Sequence, residues 1–252
     1  MALLEMRKVS KAFGGLSAVT DVSLRVAAGE TVGLIGPNGA GKTTIFNLLT
    51  GVDPVDSGEI LFDGRRLAGR RPAVINRLGI ARTFQNIRLF NDLTALDNVR
   101  VAYHSRVGYS LLAAILRVGG YYREEKAMTE KAIRLLEIFH LADKREAIAH
   151  SLPYGEQRRL EIARALAGEP KLLLLDEPAA GMNPQETGEL AALISWIREA
   201  FHLSVLLIEH DMSLVMSCCQ RIYVLEYGRL IAGGDPKTIQ NHPKVIEAYL
   251  GG

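Results

Sequence analysis

Apolar and polar positions alternate first at residues 22–26, where Val22, Leu24 and Val26 are separated by polar neighbours. That period of two predicts a half-buried strand. Residues 31–35 form a short apolar run that leads into a glycine-rich loop, and a helix is expected over 42–49. Residues 171–175 and 204–208 are two further short apolar runs, each preceded by a helical stretch. Strand, loop and helix alternating in this way predict an α/β fold with a mostly parallel sheet. The middle of the chain differs: from about residue 93 to 168 no strand pattern stands out. There Ala132, Leu135, Leu136 and Phe139 fall at i, i+3, i+4 and i+7, which predicts a helix over 121–140. Glu124, Glu125, Lys126, Glu130 and Lys131 would lie largely on its wet face. Residues from about 90 to 161 therefore read as a helical subdomain inserted into one α/β domain whose core is about 1–89 and 162–252. With no repeats and no Pro/Gly/Ser linker, both parts are expected to pack as one body.

Composition narrows the class. In 252 residues, 48% are hydrophobic and 23% charged, an ordinary globular balance. A net charge of +2 gives no electrostatic case for a nucleic-acid binder. Cys218 and Cys219 are adjacent, so they form no disulfide framework and lack metal-ligand spacing. They read as two half-buried thiols in a reducing compartment. Residues 1–10 carry Glu5, Arg7 and Lys8 and contain no signal-peptide core. No apolar run approaches 18 residues; the longest candidate, 109–116, is flanked by Arg106 and Arg117. A membrane role would have to come through a partner.

Gly36-Pro37-Asn38-Gly39-Ala40-Gly41-Lys42-Thr43 fits G-x-x-x-x-G-K-[ST] between a strand and a helix. Successive backbone N–H groups must point into one concavity to hold phosphate oxygens, and glycine tolerates the dihedrals this needs. The helix beginning there adds its positive end. Lys42 is expected to reach the β- and γ-phosphates and Thr43 to offer a hydroxyl to Mg²⁺. Taken by itself, the motif specifies a nucleoside triphosphate and no more.

The run 172–175 ends in Asp176-Glu177. Four apolar residues in a row suit a strand buried on both faces, with its carboxylates at the mouth of the sheet. Asp176 suits Mg²⁺, directly or through water. Glu177, expected to point the other way along the pleat, could take a proton from an attacking water.

Three further features sharpen the picture: Gln85 within Arg82-Thr83-Phe84-Gln85-Asn86; Ser151-Leu152-Pro153-Tyr154-Gly155-Glu156-Gln157-Arg158-Arg159 before a helix at 160–167; and His210 after the strand 204–208. In this order, with the two motifs above, they resemble the ATP-binding subunit of ABC transporters, from Phe13 to the C-terminal helix. The resemblance implies a P-loop NTPase (RecA-like) core with a mostly parallel sheet, an antiparallel β subdomain and an inserted helical subdomain. It implies ATP and Mg²⁺ as bound species and ATP hydrolysis coupled to transport. Phe13 then matches the aromatic that stacks on adenine. Gly36, Asn38, Gly39, Ala40, Gly41, Lys42, Thr43 and Thr44 match the phosphate-binding loop. Gln85 matches the glutamine that senses Mg²⁺ and the lytic water, Glu177 the catalytic carboxylate, and His210 the histidine at the γ-phosphate. Gly155 and Glu156 fall in the signature that caps ATP held by a second ATPase subunit, in a homodimer or with a related sister chain. Two transmembrane permease subunits, and indirectly a solute-binding protein, are the implied partners, with no nucleic acid. The implied location is the cytoplasmic face of the plasma membrane, peripheral, through those partners.

The texture of the chain resembles the branched-chain amino-acid importer subgroup: Arg82 to Phe90, Leu152 to Gln157, Ala180-Gly181-Met182-Asn183, Ile208 to Met212 and the ending Val245 to Gly251. An importer of urea, amides or other small solutes, or a soluble ABC ATPase, is the alternative. The soluble proteins usually carry two cassettes or a long coiled coil; here Lys42 and Gly155 are 113 residues apart (155 − 42) in a single cassette. The chain also departs from the common signature. Pro153 stands where a serine hydroxyl would donate to the γ-phosphate, Tyr154 replaces a glycine, and Asn183 lacks the charge of the usual aspartate. Of the remaining features, the apolar stretch 104–123 suits either a partner face or packing beneath the subdomain. Trp196 reads as core, Arg65, Arg66, Arg70 and Arg71 as a solvated loop, and His140, His150, His202 and His242 as surface or packing residues without metal spacing.

Overall fold

The computed structural model describes residues 2–104, 108 and 110–250. They form two compact units, Met1–Gln85 with Lys171–Gly252, and Asn86–Pro170. In chain order the first unit opens with strands β1 (Ala2–Phe13), β2 (Leu16–Ala27) and β3 (Thr31–Ile35) and helix α1 (Lys42–Thr50). Strands β4 (Ser57–Phe62) and β5 (Arg65–Arg66), helix α2 (Pro72–Leu78) and strand β6 (Ile80–Arg82) follow. The second unit holds α3 (Ala95–Tyr103), α4 (Leu111–Leu116), α5 (Tyr121–Ile138) and α6 (Tyr154–Ala167). The chain then returns through β7 (Leu172–Asp176), α7 (Pro184–Ala200), β8 (Ser204–Ile208), α8 (Met212–Cys218), β9 (Arg221–Glu226), β10 (Arg229–Gly234), α9 (Pro236–Gln240) and α10 (Pro243–Leu250).

The first unit carries two sheets. One is a six-stranded sheet in the order β10-β9-β3-β8-β7-β6, parallel from β9 to β6 with β10 antiparallel at its edge. Every residue of β3, β7 and β8 is buried, which is why these strands read as continuous apolar runs. The other sheet, β2-β1-β4-β5, is antiparallel. Its inward residues Leu4, Met6, Val22, Leu24, Ile60 and Phe62 join Val32, Leu34, Leu174 and Leu206 of the parallel sheet in one core with Ile45 and Phe46 of α1. The two sheets thus clamp α1, the helix that continues the glycine-rich loop.

In the second unit α3 packs on α5 and α6. Its core includes Val99, Leu135, Leu136, Phe139, Ile162 and Leu166. Thr94 caps α3, its hydroxyl accepting from Asp97 N at 3.0 Å. No strand of three or more residues occurs in this unit among the described residues, only the bridge between Thr94 and Ile148.

Several expectations need correction. Trp196 is 48% exposed: α7 buries Thr187, Leu190, Ala191, Ile194 and Ile197, and Trp196 lies on the other side, edge-on to Phe201. Cys218 and Cys219 are buried rather than half-buried. The signature helix α6 begins at Tyr154, inside the motif rather than after it. In the apolar stretch, Leu112, Ile115, Leu116 and Val118 are 54–68% exposed, so they do not pack beneath the subdomain. Residues 105–107 and 109 of that stretch lie outside the described residues. Arg65, Arg66, Arg70 and Arg71 are exposed, as are His140, His150 and His202; His242 is half-buried. No helix among the described residues is long and apolar enough to cross a membrane.

Candidate functional site

The buried strand β3 delivers the chain to Gly36 at the sheet's edge, and α1 starts six residues later at Lys42. Glycine is required at both ends of this loop. Gly36 has φ +150°, and a Cβ there would sit 2.0 Å from Leu225 O; Gly41 has φ +101°, and a Cβ would sit 2.4 Å from Ala18 O. The loop is pinned from behind: Gly228 N donates to Ala40 O at 3.0 Å, and Thr20 N to Gly228 O at 2.8 Å. No side chain caps α1. Asn38 and Gly39 are exposed, Ala40 is buried, Thr43 is exposed and Thr44 half-buried in the first turn. Lys42 folds back over the loop, its Nζ donating to Gly36 O at 2.6 Å and Pro37 O at 2.9 Å. Burial pushes its ammonium below the ordinary lysine range, against the opposing fields of Glu177 and Asp176.

Those two carboxylates end β7. Asp176 accepts from Arg82 Nη2 at 2.8 Å, with both side chains about 95% enclosed (6% and 5% exposed). Arg82 also donates through Nη1 to Asn47 Oδ1 at 2.8 Å, and its guanidinium lies 5.4 Å from the Phe46 ring centroid and 4.9 Å from that of Phe84. The acidic strand end is therefore tied to α1 and to the segment before Gln85 through one residue to which the sequence reading gave no role. Glu177 does not continue the pleat. Its φ is +46°, a left-handed conformation uncommon outside glycine, and its N–H donates to Ile208 O at 2.9 Å. Gln85 Nε2 donates to Glu177 Oε2 at 2.7 Å.

His210 follows β8, with its ring half-exposed and Nδ1 3.8 Å from Glu177 Oε2 and 3.9 Å from Glu209 Oε2. Glu209 is enclosed and accepts from the backbone N–H of Ala179 (2.8 Å), His210 (3.1 Å) and Asp211 (3.3 Å). Burial pushes its carboxyl above the ordinary range, while the three donors and the His210 imidazole pull it the other way. Asp211 caps α8, accepting from Ser213 N at 2.8 Å and from its hydroxyl at 2.6 Å; these bonds, the hydroxyl's first, hold its carboxyl below the ordinary range.

The structure thus brings Lys42, Asp176, Glu177, Gln85 and His210 around one sheet edge. Phe13 is placed on the hairpin of the antiparallel sheet, 46% exposed, with Lys11 Nζ 5.2 Å from its ring centroid and Lys11 in turn paired to Asp56 at 2.7 Å. A core role for Phe13 is excluded by that exposure. Gly155 and Glu156 belong to the helical unit, in the first turn of α6. Pro153 is the N-cap there and supplies no side-chain bond, while Glu156 N and Gln157 N donate to its carbonyl. Glu156 accepts from Lys144. Tyr154 has a structural use: its hydroxyl accepts from Arg158 Nη2 at 3.0 Å, and the buried Arg158 pairs with Glu161 at 3.0 Å. Asn183 caps α7 in a reciprocal box with Glu186.

The oxygen donors Thr43, Gln85 and Asp176 suit a hard divalent cation. Among the described residues no group of three or more His, Cys, Asp or Glu could hold a metal ion. A cation there would need oxygens from a bound phosphate to complete its shell.

A family model described as ABC transporter matches residues 19–180, and one described as branched-chain amino acid ATP-binding cassette transporter matches residues 229–252. The chain is 46% identical to the high-affinity branched-chain amino acid transport ATP-binding protein BraF of Pseudomonas aeruginosa over 249 residues, covering 99% of this chain and 98% of that one. It is 45% identical to the corresponding protein LivG of Escherichia coli with the same coverage. A crystal structure of an ATP-binding cassette of an ABC transporter in its ADP conformation superposes with a TM-score of 0.87 at 32% identity, over 100% of both chains.

Proposed function

The chain belongs to the ABC transporter family of ATP-binding cassettes, and from that membership we propose that it is the ATP-hydrolysing subunit of an importer for branched-chain amino acids. The family supplies the reaction, ATP and water to ADP and phosphate, coupled to transport. The identity to BraF and LivG over nearly the whole chain, together with the match of the C-terminal 24 residues (229 to 252), supports the substrate class. The observation that carries the chemistry is the Glu177 carboxylate, bonded to Gln85 at 2.7 Å and 3.8 Å from His210 beside the Lys42 loop.

In this reading the phosphates lie on the backbone N–H groups of residues 39–44. Lys42 exchanges its two loop carbonyls for the β- and γ-phosphate oxygens, and phosphate restores the charge that burial opposes. Thr43, Asp176 and Gln85 would hold Mg²⁺, which when bound neutralises phosphate charge. Glu177 orients and deprotonates the attacking water, His210 faces the γ-phosphate, and Phe13 stacks on the base. Gly155 and Glu156 would close over ATP on a second ATPase subunit. That pairing would drive two permease subunits, with a solute-binding protein delivering cargo, from the cytoplasmic face of the membrane.

The test is Glu177→Gln. It should bind ATP, pair in saturating ATP, and hydrolyse about 10³-fold more slowly, roughly 4 kcal/mol of barrier. Near-normal turnover would remove Glu177 from the role. Uptake of labelled leucine, isoleucine and valine against urea and amides, with the permeases supplied, tests the substrate class; uptake of urea or amides alone would overturn it.

A further inference from the structure

Glu209 sits one residue before His210 and has no assigned role in the chemistry above. Its carboxylate is buried between two loops. Oε1 accepts from the N–H of Ala179, two residues past Glu177, and Oε2 accepts from the N–H groups of His210 and Asp211. Among the described residues no lysine or arginine pairs with it; its charge is met by those three N–H donors and the nearby imidazole. A buried carboxylate is an expensive way to fill space, since an apolar side chain would need no partners. What it supplies here is a bond on each side, to the loop of Glu177 and to the turn of His210.

We propose that Glu209 is a positioning residue for hydrolysis: it locks the backbone after Glu177 to the backbone of His210, so that the carboxylate and the imidazole face one point. The proposal rests on the reading of Glu177 and His210 as the hydrolytic pair. Position 209 must then be an acceptor on both oxygens. Glutamine, nearly the same size, has one oxygen and one NH₂. Whichever way its amide turns, a donor faces a donor, and either the Ala179 side or the His210 side is released. Aspartate keeps the charge but is one methylene too short to reach both loops.

The full-length Glu209→Gln and Glu209→Asp variants should therefore lose at least tenfold in kcat while the Kd for a fluorescent ATP analogue stays within twofold of the parent, because the phosphate loop is untouched. A residue that merely supported the fold would move kcat, Kd and melting temperature together. The parent chain gives a second measurement independent of any variant: the Ala179 and Asp211 amides should show strong protection from hydrogen exchange. Turnover within twofold of the parent, a joint loss of kcat and ATP binding, or loop-like exchange at those amides would each overturn the proposal. Glu177→Gln run alongside separates the two readings. If it is inactive while Glu209→Gln is active, only the Glu209 proposal falls; if it hydrolyses normally, the hydrolytic pair itself falls.

Discussion

Replacing Arg82 by methionine should destabilise the nucleotide-free protein by about 3–5 kcal/mol, the range for removing one partner of a buried ion pair. The structure supports a value in that range. At 2.8 Å, unit charges attract by about 6 kcal/mol at an effective dielectric of ~20, a gross figure that desolvation reduces. Methionine preserves most of the apolar volume between Phe46 and Phe84, so cavity formation adds little, although a cation–π contribution of roughly 0.5–2 kcal/mol is lost. Asn47 loses a donor as well. Lys42, whose ammonium feels the Asp176 charge, still compensates part of it and draws the expected loss towards the lower end.

The diagnostic is a sign. Adding Asp176→Asn to Arg82→Met removes the charge left without its partner, so the double variant should be more stable than the Arg82 single variant by about 1–2 kcal/mol. Urea unfolding followed by far-UV circular dichroism, without nucleotide or magnesium, reads both quantities free of the proposed metal role of Asp176. In thermal melts the single variant should fall by roughly 6–20 °C, taking about 2–4 °C per kcal/mol for a chain of this size. An Arg82→Met loss under about 1 kcal/mol, or a double variant less stable than the single, would show that the pair does not hold the strand end.

Two further outcomes follow from the geometry. Gly36→Ala should abolish ATP binding and lower the melting temperature far more than Gly39→Ala, because a Cβ at Gly36 meets a carbonyl at 2.0 Å whereas at Gly39 it meets open space and only the left-handed backbone, about 1–2 kcal/mol, is at stake; equal melts would refute this. Stability should also depend on pH through Glu209. Its folded-state pKa is raised, so its contribution is fully present below the unfolded value near 4.5 and is lost as pH rises through the folded value. The stability of the parent relative to Glu209→Gln should therefore be greatest in acid and fall toward neutrality, measured by urea unfolding at matched pH; a gap that widens with pH would contradict the burial argument.

The central strands were legible because the parallel sheet is covered on both faces: Leu172, Leu173, Leu174 and Leu175 are all wholly buried, and a continuous apolar run is what such a strand requires. The antiparallel sheet was less so. β1 breaks its own alternation: its register against β2 shifts between Met6 and Val9, and Lys8 takes φ +45°, so the period of two does not persist long enough to be read. Trp196 was misplaced for a related reason. Helical spacing from Leu193 and Ala200 defines a face, but α7 buries the opposite one, Thr187, Leu190, Ala191, Ile194 and Ile197, and spacing alone does not reveal which face is covered.

At the site, ordered motifs were enough to single out Lys42, Gln85, Asp176, Glu177 and His210 as candidates, because each carries its own local pattern, and the structure brings these five together. Their partners were not legible in this way, because these depend on strand order. Arg82 and Asp176 are 94 positions apart and meet only because β6 and β7 are neighbours. The same register explains a strained residue. Asp176 pairs with Ile208 at the end of β7 and β8, so the next residue of each strand is a glutamate, and continued pairing would set two carboxylates side by side at the sheet edge. Like charges directly opposite each other oppose strand pairing. The chain resolves this in two different ways: Glu177 turns into the left-handed region and leaves the pleat toward Gln85, while Glu209 turns inward onto three backbone N–H groups. The left-handed backbone at Glu177, a strain of order 1–3 kcal/mol, separates the carboxylate bonded to Gln85, proposed for the chemistry, from the one bonded to the loop N–H groups.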